Sequence, residues 1–117
     1  MRSLLSPYTQ TQRRRANWTQ LVPQVTFVLF LCRATRNRVG IEGIAEQAVA
    51  AYPKSFYTVV DRKKIPDLSL IALTLGQAKR KDWGFVAGDW FRGCRLTRKG
   101  LQFARDVKRC VEGRRKT

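Results

Sequence analysis

Ser69, Gln77, Lys79, Arg80, Lys81, Arg92 and Arg95 fall within one stretch of the chain, and each is a side chain suited to gripping or reading a nucleic acid. The amide of Gln77 donates and accepts at once, which matches the pattern adenine shows in the major groove. Arg80 or Lys79 has the reach and charge for guanine O6 and N7 or for a phosphate, and Ser69 could donate to a phosphate near a helix start. Arg92 and Arg95 would add charge for the backbone, as would Arg36 and Arg38 and, further upstream, the run Arg13-Arg14-Arg15. Any one of these is equally well a solvated surface residue. They become a site only if the fold gathers them.

The charge balance gives such a site a physical reason. The 117 residues include 24 Lys and Arg against 8 Asp and Glu, a formal net charge of +16. Self-repulsion at that charge opposes compaction, and a polyanion relieves it. No acidic residue precedes Glu42, and the chain closes on Arg114, Arg115 and Lys116, so both ends are basic. Nucleic acid is the leading partner on this ground, ahead of an anionic membrane surface or an acidic protein.

Other functions lack their ingredients. There is no histidine, no Cys–His pair and no Gly-x-x-x-x-Gly-Lys phosphate loop, so the chain reads as a non-enzyme without a cofactor. Its carboxylates are Glu42, Glu46, Asp61, Asp67, Asp82, Asp89, Asp106 and Glu112, scattered where a Mg²⁺-dependent nuclease needs two or three together. Glu42 and Glu46 share a helix face and are expected to pair with nearby arginines. Cys32, Cys94 and Cys110 are far apart and odd in number, which excludes a zinc finger and suits free thiols in a reducing compartment. The longest apolar run, Val25 to Cys32, is about half of a membrane span. The expected location is therefore the cytoplasm, with the nucleoid, and no membrane partner. The acid-free, Arg- and Ser-bearing N-terminus leaves a mitochondrial transit peptide as a lesser reading.

Four helices and a hairpin could position these residues. Trp18 to about Ala34 repeats Leu21, Val25, Val28, Leu29 and Cys32 at helical spacing, with Pro23 suited to its first turn. Its near-continuous apolar surface makes it central. A basic turn leads to a helix over Ile41–Tyr52, which Pro53 stops. Lys54 to Ile65 reads as an extended connector with aromatic anchors and room for a short strand. Pro66-Asp67 opens a third helix running to about Lys81, with Leu68, Ile71, Leu75 and Ala78 facing the core. Its opposite side would carry Ser69, Gln77 and Arg80. Aromatic and β-branched residues around Gly88-Asp89 predict a two-stranded hairpin bearing Arg92 and Arg95. Thr97 then caps a last helix buried along Leu101, Ala104, Val107 and Val111, and Gly113 ends it. The division is a basic arm over 1–17, one domain over 18–112, and a basic tail over 113–117.

That order, mainly α with one small β-hairpin, resembles the winged helix-turn-helix. The segment Trp83-Gly84-Phe85-Val86 with Cys94-Arg95-Leu96-Thr97-Arg98-Lys99-Gly100-Leu101 is similar to the glycine–aliphatic, wing, Leu-Thr-x-x-Gly pattern that ends many winged helices. Ile44-Ala45 through Pro53 and Phe56, then Pro66-Asp67 through Lys81, looks like small bacterial members of that group. The resemblance spans about residues 22 to 108. It implies that Leu96 packs under the wing, that Thr97 caps the last helix, and that Gly100 lets that helix approach closely. It also implies duplex DNA binding through the third helix and the wing, in a regulator or in an accessory subunit of a mobile-element or phage-defence system.

One feature departs from the pattern. A recognition helix would carry polar residues at positions 70 and 73, where this chain has Leu70 and Leu73. Either they bury against the aromatic connector or a partner chain, or the helix stays out of the groove and the wing and tails make the contacts. Two other functions compete with duplex binding. RNA binding, including a ribosome-associated role, would stack bases on Tyr8, Trp18, Trp83, Trp90 and Phe91. A protein-interaction module or homodimer would use Leu70 and Leu73 as its apolar patch.

Overall fold

The computed structural model describes residues 17–89 and 92–116, with only the backbone of 113–116. It contains four helices and two antiparallel hairpins: α1 (Trp18–Leu31), α2 (Ile41–Ala51), β1 (Tyr57–Val60), β2 (Lys63–Pro66), α3 (Leu68–Lys79), β3 (Val86–Asp89), β4 (Gly93–Leu96) and α4 (Arg98–Lys116). No described helix is long and apolar enough to cross a membrane.

Helix α1 is the centre, in contact with α2, α3, α4 and β4. Asn17 caps it, accepting from the Thr19 amide at 3.2 Å, and Leu21, Val22, Val25, Thr26, Val28 and Leu29 are buried. Thr26 survives in the core because its hydroxyl donates to the Val22 carbonyl at 2.7 Å. Pro23 lies inside the helix rather than in its first turn. It has no N–H to return to the Thr19 carbonyl, and Thr19 is exposed, so water can take that place. The helix closes with Arg33 in the left-handed region (φ 61) while Arg33 and Ala34 donate back to Phe30 and Leu29, both at 3.0 Å. The chain then runs along β4, where Val39 and Cys94 exchange both backbone hydrogen bonds.

Helix α2 buries Ile44, Ala45 and Ala48 and stops before Pro53. The segment expected as an extended connector with room for a short strand forms two, the β1–β2 hairpin, in register from Tyr57↔Pro66 to Val60↔Lys63. Asp61 and Arg62, with φ of 50° and 66°, form its two-residue turn. That is the backbone of a type I′ turn, without the Asn-Gly that usually announces one. Phe56 anchors the base of the hairpin, fully buried, and its carbonyl accepts from the Asp67 amide at 2.9 Å.

Asp67 caps α3, accepting from the Leu70 amide at 3.1 Å. The core face of α3 is Leu70, Ile71, Thr74, Leu75 and Ala78. This corrects two expectations: Leu70 is 4% exposed and belongs to the core, whereas Leu68 is 47% exposed. The helix also ends at Lys79, so Arg80 and Lys81 leave it in an extended turn.

The second hairpin, β3–β4, pairs from Val86↔Leu96 to Asp89↔Gly93. Gly88 and Asp89, expected at its turn, therefore lie on its first strand. Leu96 is buried beneath this hairpin, and Thr97 accepts from the Gly100 amide at 3.1 Å while donating to the Gly84 carbonyl at 2.6 Å. A methyl group on Gly100 would collide with the Phe85 carbonyl, so only glycine lets α4 sit this close. Gly113 does not end α4, which continues to Lys116. Val111, expected in its buried stripe, is exposed where the helix outruns the body.

Candidate nucleic-acid interface

Three elements bring cations to the β3–β4 hairpin. The turn before α2 contributes Arg38, whose Cβ would lie 2.9 Å from a side chain at Gly93, directly beside Arg92. The last turn of α3 contributes Lys79, whose ammonium reaches Asp89 on β3 at 3.5 Å. The hairpin itself contributes Arg92 in the turn and Arg95 on β4, both exposed. Cys94, buried beneath, registers this gathering. Burial pushes its thiol above the ordinary range; Lys79 pulls it back, Asp89 raises it further, and Arg38 lowers it. Side chains alternate along a strand, so Arg95 points away from Cys94 and Leu96, toward the open face.

Arg36 is exposed on the same turn as Arg38, and Arg80 and Lys81 are exposed directly after α3. Their backbone is tied down: the Arg80 carbonyl accepts from Trp83 at 2.9 Å and from Gly84 at 2.7 Å. Seven cations (Arg36, Arg38, Lys79, Arg80, Lys81, Arg92 and Arg95) thus belong to segments meeting at one hairpin, against Asp82 and Asp89. Lys79 shares its charge with Asp89, an exposed pair that contributes little to stability.

The rest of the expected surface is not brought together. Ser69 is exposed at the far end of α3, about 16 Å along the axis from Arg80 at 1.5 Å per residue. Gln77 is half-buried. Between them the outward side of α3 carries Ser69, Ala72, Leu73 and Gly76, so the basic, hydrogen-bonding face expected there is absent. That face is neutral, with Leu73 the one large side chain on it, and the charge of α3 sits only at the C-terminal end of the helix. Arg13, Arg14 and Arg15 lie outside the described residues, as do Tyr8, Trp90 and Phe91.

Several functional candidates escaped the sequence reading. Arg62, Lys63 and Lys64 stand at the tip of the β1–β2 hairpin, a placement invisible while that segment is read as a connector. Lys99 lies over the Phe85 ring at 5.6 Å, and Phe85 stacks on Phe103 at 4.8 Å, forming with Arg98, Gln102 and Asp106 an open aromatic cleft. Glu42 and Glu46 make no ion pair among the described residues, contrary to expectation. They rim an apolar groove of about 370 Å³ floored by Ala45, Ile65, Pro66 and Leu68. The expected apolar patch changes membership too: Leu73 is exposed, but Leu70 is core and Leu68 takes its place. Among the described residues no three of His, Cys, Asp and Glu converge as metal ligands would.

The chain matches no family model, no curated protein and no solved structure.

Proposed function

We infer that this protein is a duplex DNA-binding module rather than an enzyme, and that it holds DNA through the β3–β4 hairpin and the C-terminal end of α3. The single observation that supports this most is the gathering of Arg38, Lys79, Arg92 and Arg95 from three elements onto one hairpin. Dispersed cations would serve solubility as well; cations drawn together against their own repulsion suit a polyanion. In this reading the fold is a winged helix, β3–β4 is its wing, and an additional ribbon stands between the second and third helices. The wing follows the phosphate backbone while α3 approaches the major groove. The neutral face of α3 carries few groups able to read bases, so affinity is mostly electrostatic and sequence preference weak. A regulator of broad specificity, or an accessory subunit of a larger DNA-acting assembly, fits that balance.

The test is a titration of the protein against fluorescent duplex DNA, single-stranded DNA and structured RNA at two salt concentrations. Duplex binding should be tightest, and Arg80→Ala and Arg92→Ala should both weaken it while making its salt dependence shallower by about one unit per lost phosphate contact. Unchanged affinity and slope in both variants would remove the surface assigned here.

A second reading is favoured by one observation: Leu68 is exposed in the apolar groove between α2 and β2, and Leu73 is exposed further along α3. A partner protein would cover them, and the cations would then serve solubility. Equal and salt-fragile binding to all three nucleic acids would favour this reading.

A further inference from the structure

The β1–β2 hairpin stands away from the core that its neighbours share. Every residue of β2 is exposed, and Val59 and Val60 on β1 are 56% and 49% exposed. Its turn forces Asp61 and Arg62 into the left-handed region, which places Arg62 at the extreme tip, with Lys63 and Lys64 immediately behind it. From Lys54 to Pro66 the only carboxylate is Asp61.

Its place relative to α3 gives this ribbon a role. Only Asp67 separates β2 from the N-terminus of α3, whereas β3 begins shortly after the C-terminus of the same helix. Helix α3, of 12 residues and therefore about 18 Å long, has a ribbon with a cationic tip rooted at each end. Between the two roots its outward face is Ser69, Ala72, Leu73 and Gly76, without a charge.

We propose that the β1–β2 ribbon is a second DNA-contacting arm, gripping the duplex backbone beyond the N-terminal end of α3 through Arg62 and Lys64. This rests on the duplex-binding reading above and extends it from one contact region to two. Charge complementarity selects the occupant: Arg62 at the tip and Lys64 behind it, on a ribbon whose second strand is wholly exposed, match a polyanion, while Lys63 lies on the other face with Ile65. The face that does so is defined by alternation. Ile65 lines the groove beside Glu42 and Glu46, so its neighbour Lys64, with Tyr57 and Val59, lies on the opposite face of the ribbon. There the Lys64 ammonium sits 4.7 Å from the centre of the Tyr57 ring, which holds it in place on that face. Val59, beside it and exposed, offers an apolar surface to the deoxyribose between neighbouring phosphates.

The experiment compares the full chain with the double variants Arg62→Ala/Lys64→Ala and Arg80→Ala/Arg95→Ala, using fluorescent duplex DNA over a salt series and a hydroxyl-radical footprint. Circular dichroism verifies that each variant is folded. The ribbon variant should weaken duplex binding, lower the salt slope by about two, one for each cation, and shorten the footprint at one end only. If its slope and footprint match the parent while Arg80→Ala/Arg95→Ala is impaired, the second arm is wrong and the duplex-binding reading stands. If neither variant differs from the parent, both are wrong. Anionic phospholipid vesicles are run alongside: a variant that loses vesicle binding yet keeps its duplex affinity overturns the arm in favour of a membrane contact.

Discussion

At the scale of single residues, Thr97 does more than its position before a helix requires. Its hydroxyl accepts from the Gly100 amide and donates to the Gly84 carbonyl, so one side chain fixes both the start of α4 and the loop that follows α3. That loop carries Arg80 and Lys81, and the joint therefore couples the fold to the candidate interface. Thr97→Ala should cost about 1–2 kcal/mol, the worth of a lost cap together with a part-buried carbonyl left unpaired. Thr97→Ser keeps the hydroxyl and should recover most of that loss. Urea unfolding of the three proteins checks it; an alanine variant as stable as the parent would mean that water replaces both bonds. The cap was legible in the sequence because it depends on local chemistry, a threonine three residues ahead of a close-packing glycine. The second bond was not, since Gly84 reaches Thr97 only after the β3–β4 hairpin has folded the chain back.

At the scale of elements, the outward face of α3 decides how the helix is used. Gly76 lies in mid-helix, exposed, and a methyl group there would meet nothing within 4 Å. Gly76→Ala should therefore stabilise the protein by about 0.5–1 kcal/mol, through helix propensity alone. Gly76→Glu should fold equally well but weaken duplex binding, because it sets a carboxylate where the backbone of α3 would come closest to DNA. Thermal melts and the duplex titration separate the two effects. If Gly76→Glu binds as the parent does, α3 stays out of the groove and the ribbons carry the contact.

The elements also differ in how far the sequence exposed them. Helices α1, α2 and α4 announce themselves through apolar spacing, and the β3–β4 hairpin through its aromatic and β-branched residues. The β1–β2 hairpin is silent for a stated reason: Asp61-Arg62 adopts a turn that glycine and asparagine normally fill, and neither strand alternates between apolar and polar residues, since neither is buried. On α3 the spacing correctly places Ile71, Leu75 and Ala78 in the core, but at the first turn the core takes Leu70 and leaves Leu68 exposed. The helix also stops at Lys79, so Arg80 and Lys81 lie beyond its end and cannot belong to an outer face. The pairing of Val39 with Cys94, which delivers Arg38 to the hairpin, has no local signature at all.

For the whole molecule, a net charge of +16 is hardly offset within the fold. The ion pairs among the described residues are Lys79–Asp89, Lys108–Glu112 and Arg109–Asp106, all exposed, and the last two lie within α4 itself. Exposed pairs contribute little, so repulsion among the remaining cations is left for counter-ions to screen. Two opposed salt dependences follow. The free protein should melt higher as sodium chloride rises from about 0.02 to 0.5 M, because screening shortens the reach of that repulsion from about 20 Å to a few ångströms. Saturating duplex should stabilise the fold most at the low end, by about 2.7 kcal/mol at one hundred times its Kd, raising the melting point there and losing its effect as salt weakens binding. The two melting curves should therefore converge with increasing salt. A free protein indifferent to salt would show that the cations are too dispersed to repel one another. The same dispersal would undercut a surface on which Arg38, Lys79, Arg92 and Arg95 act together.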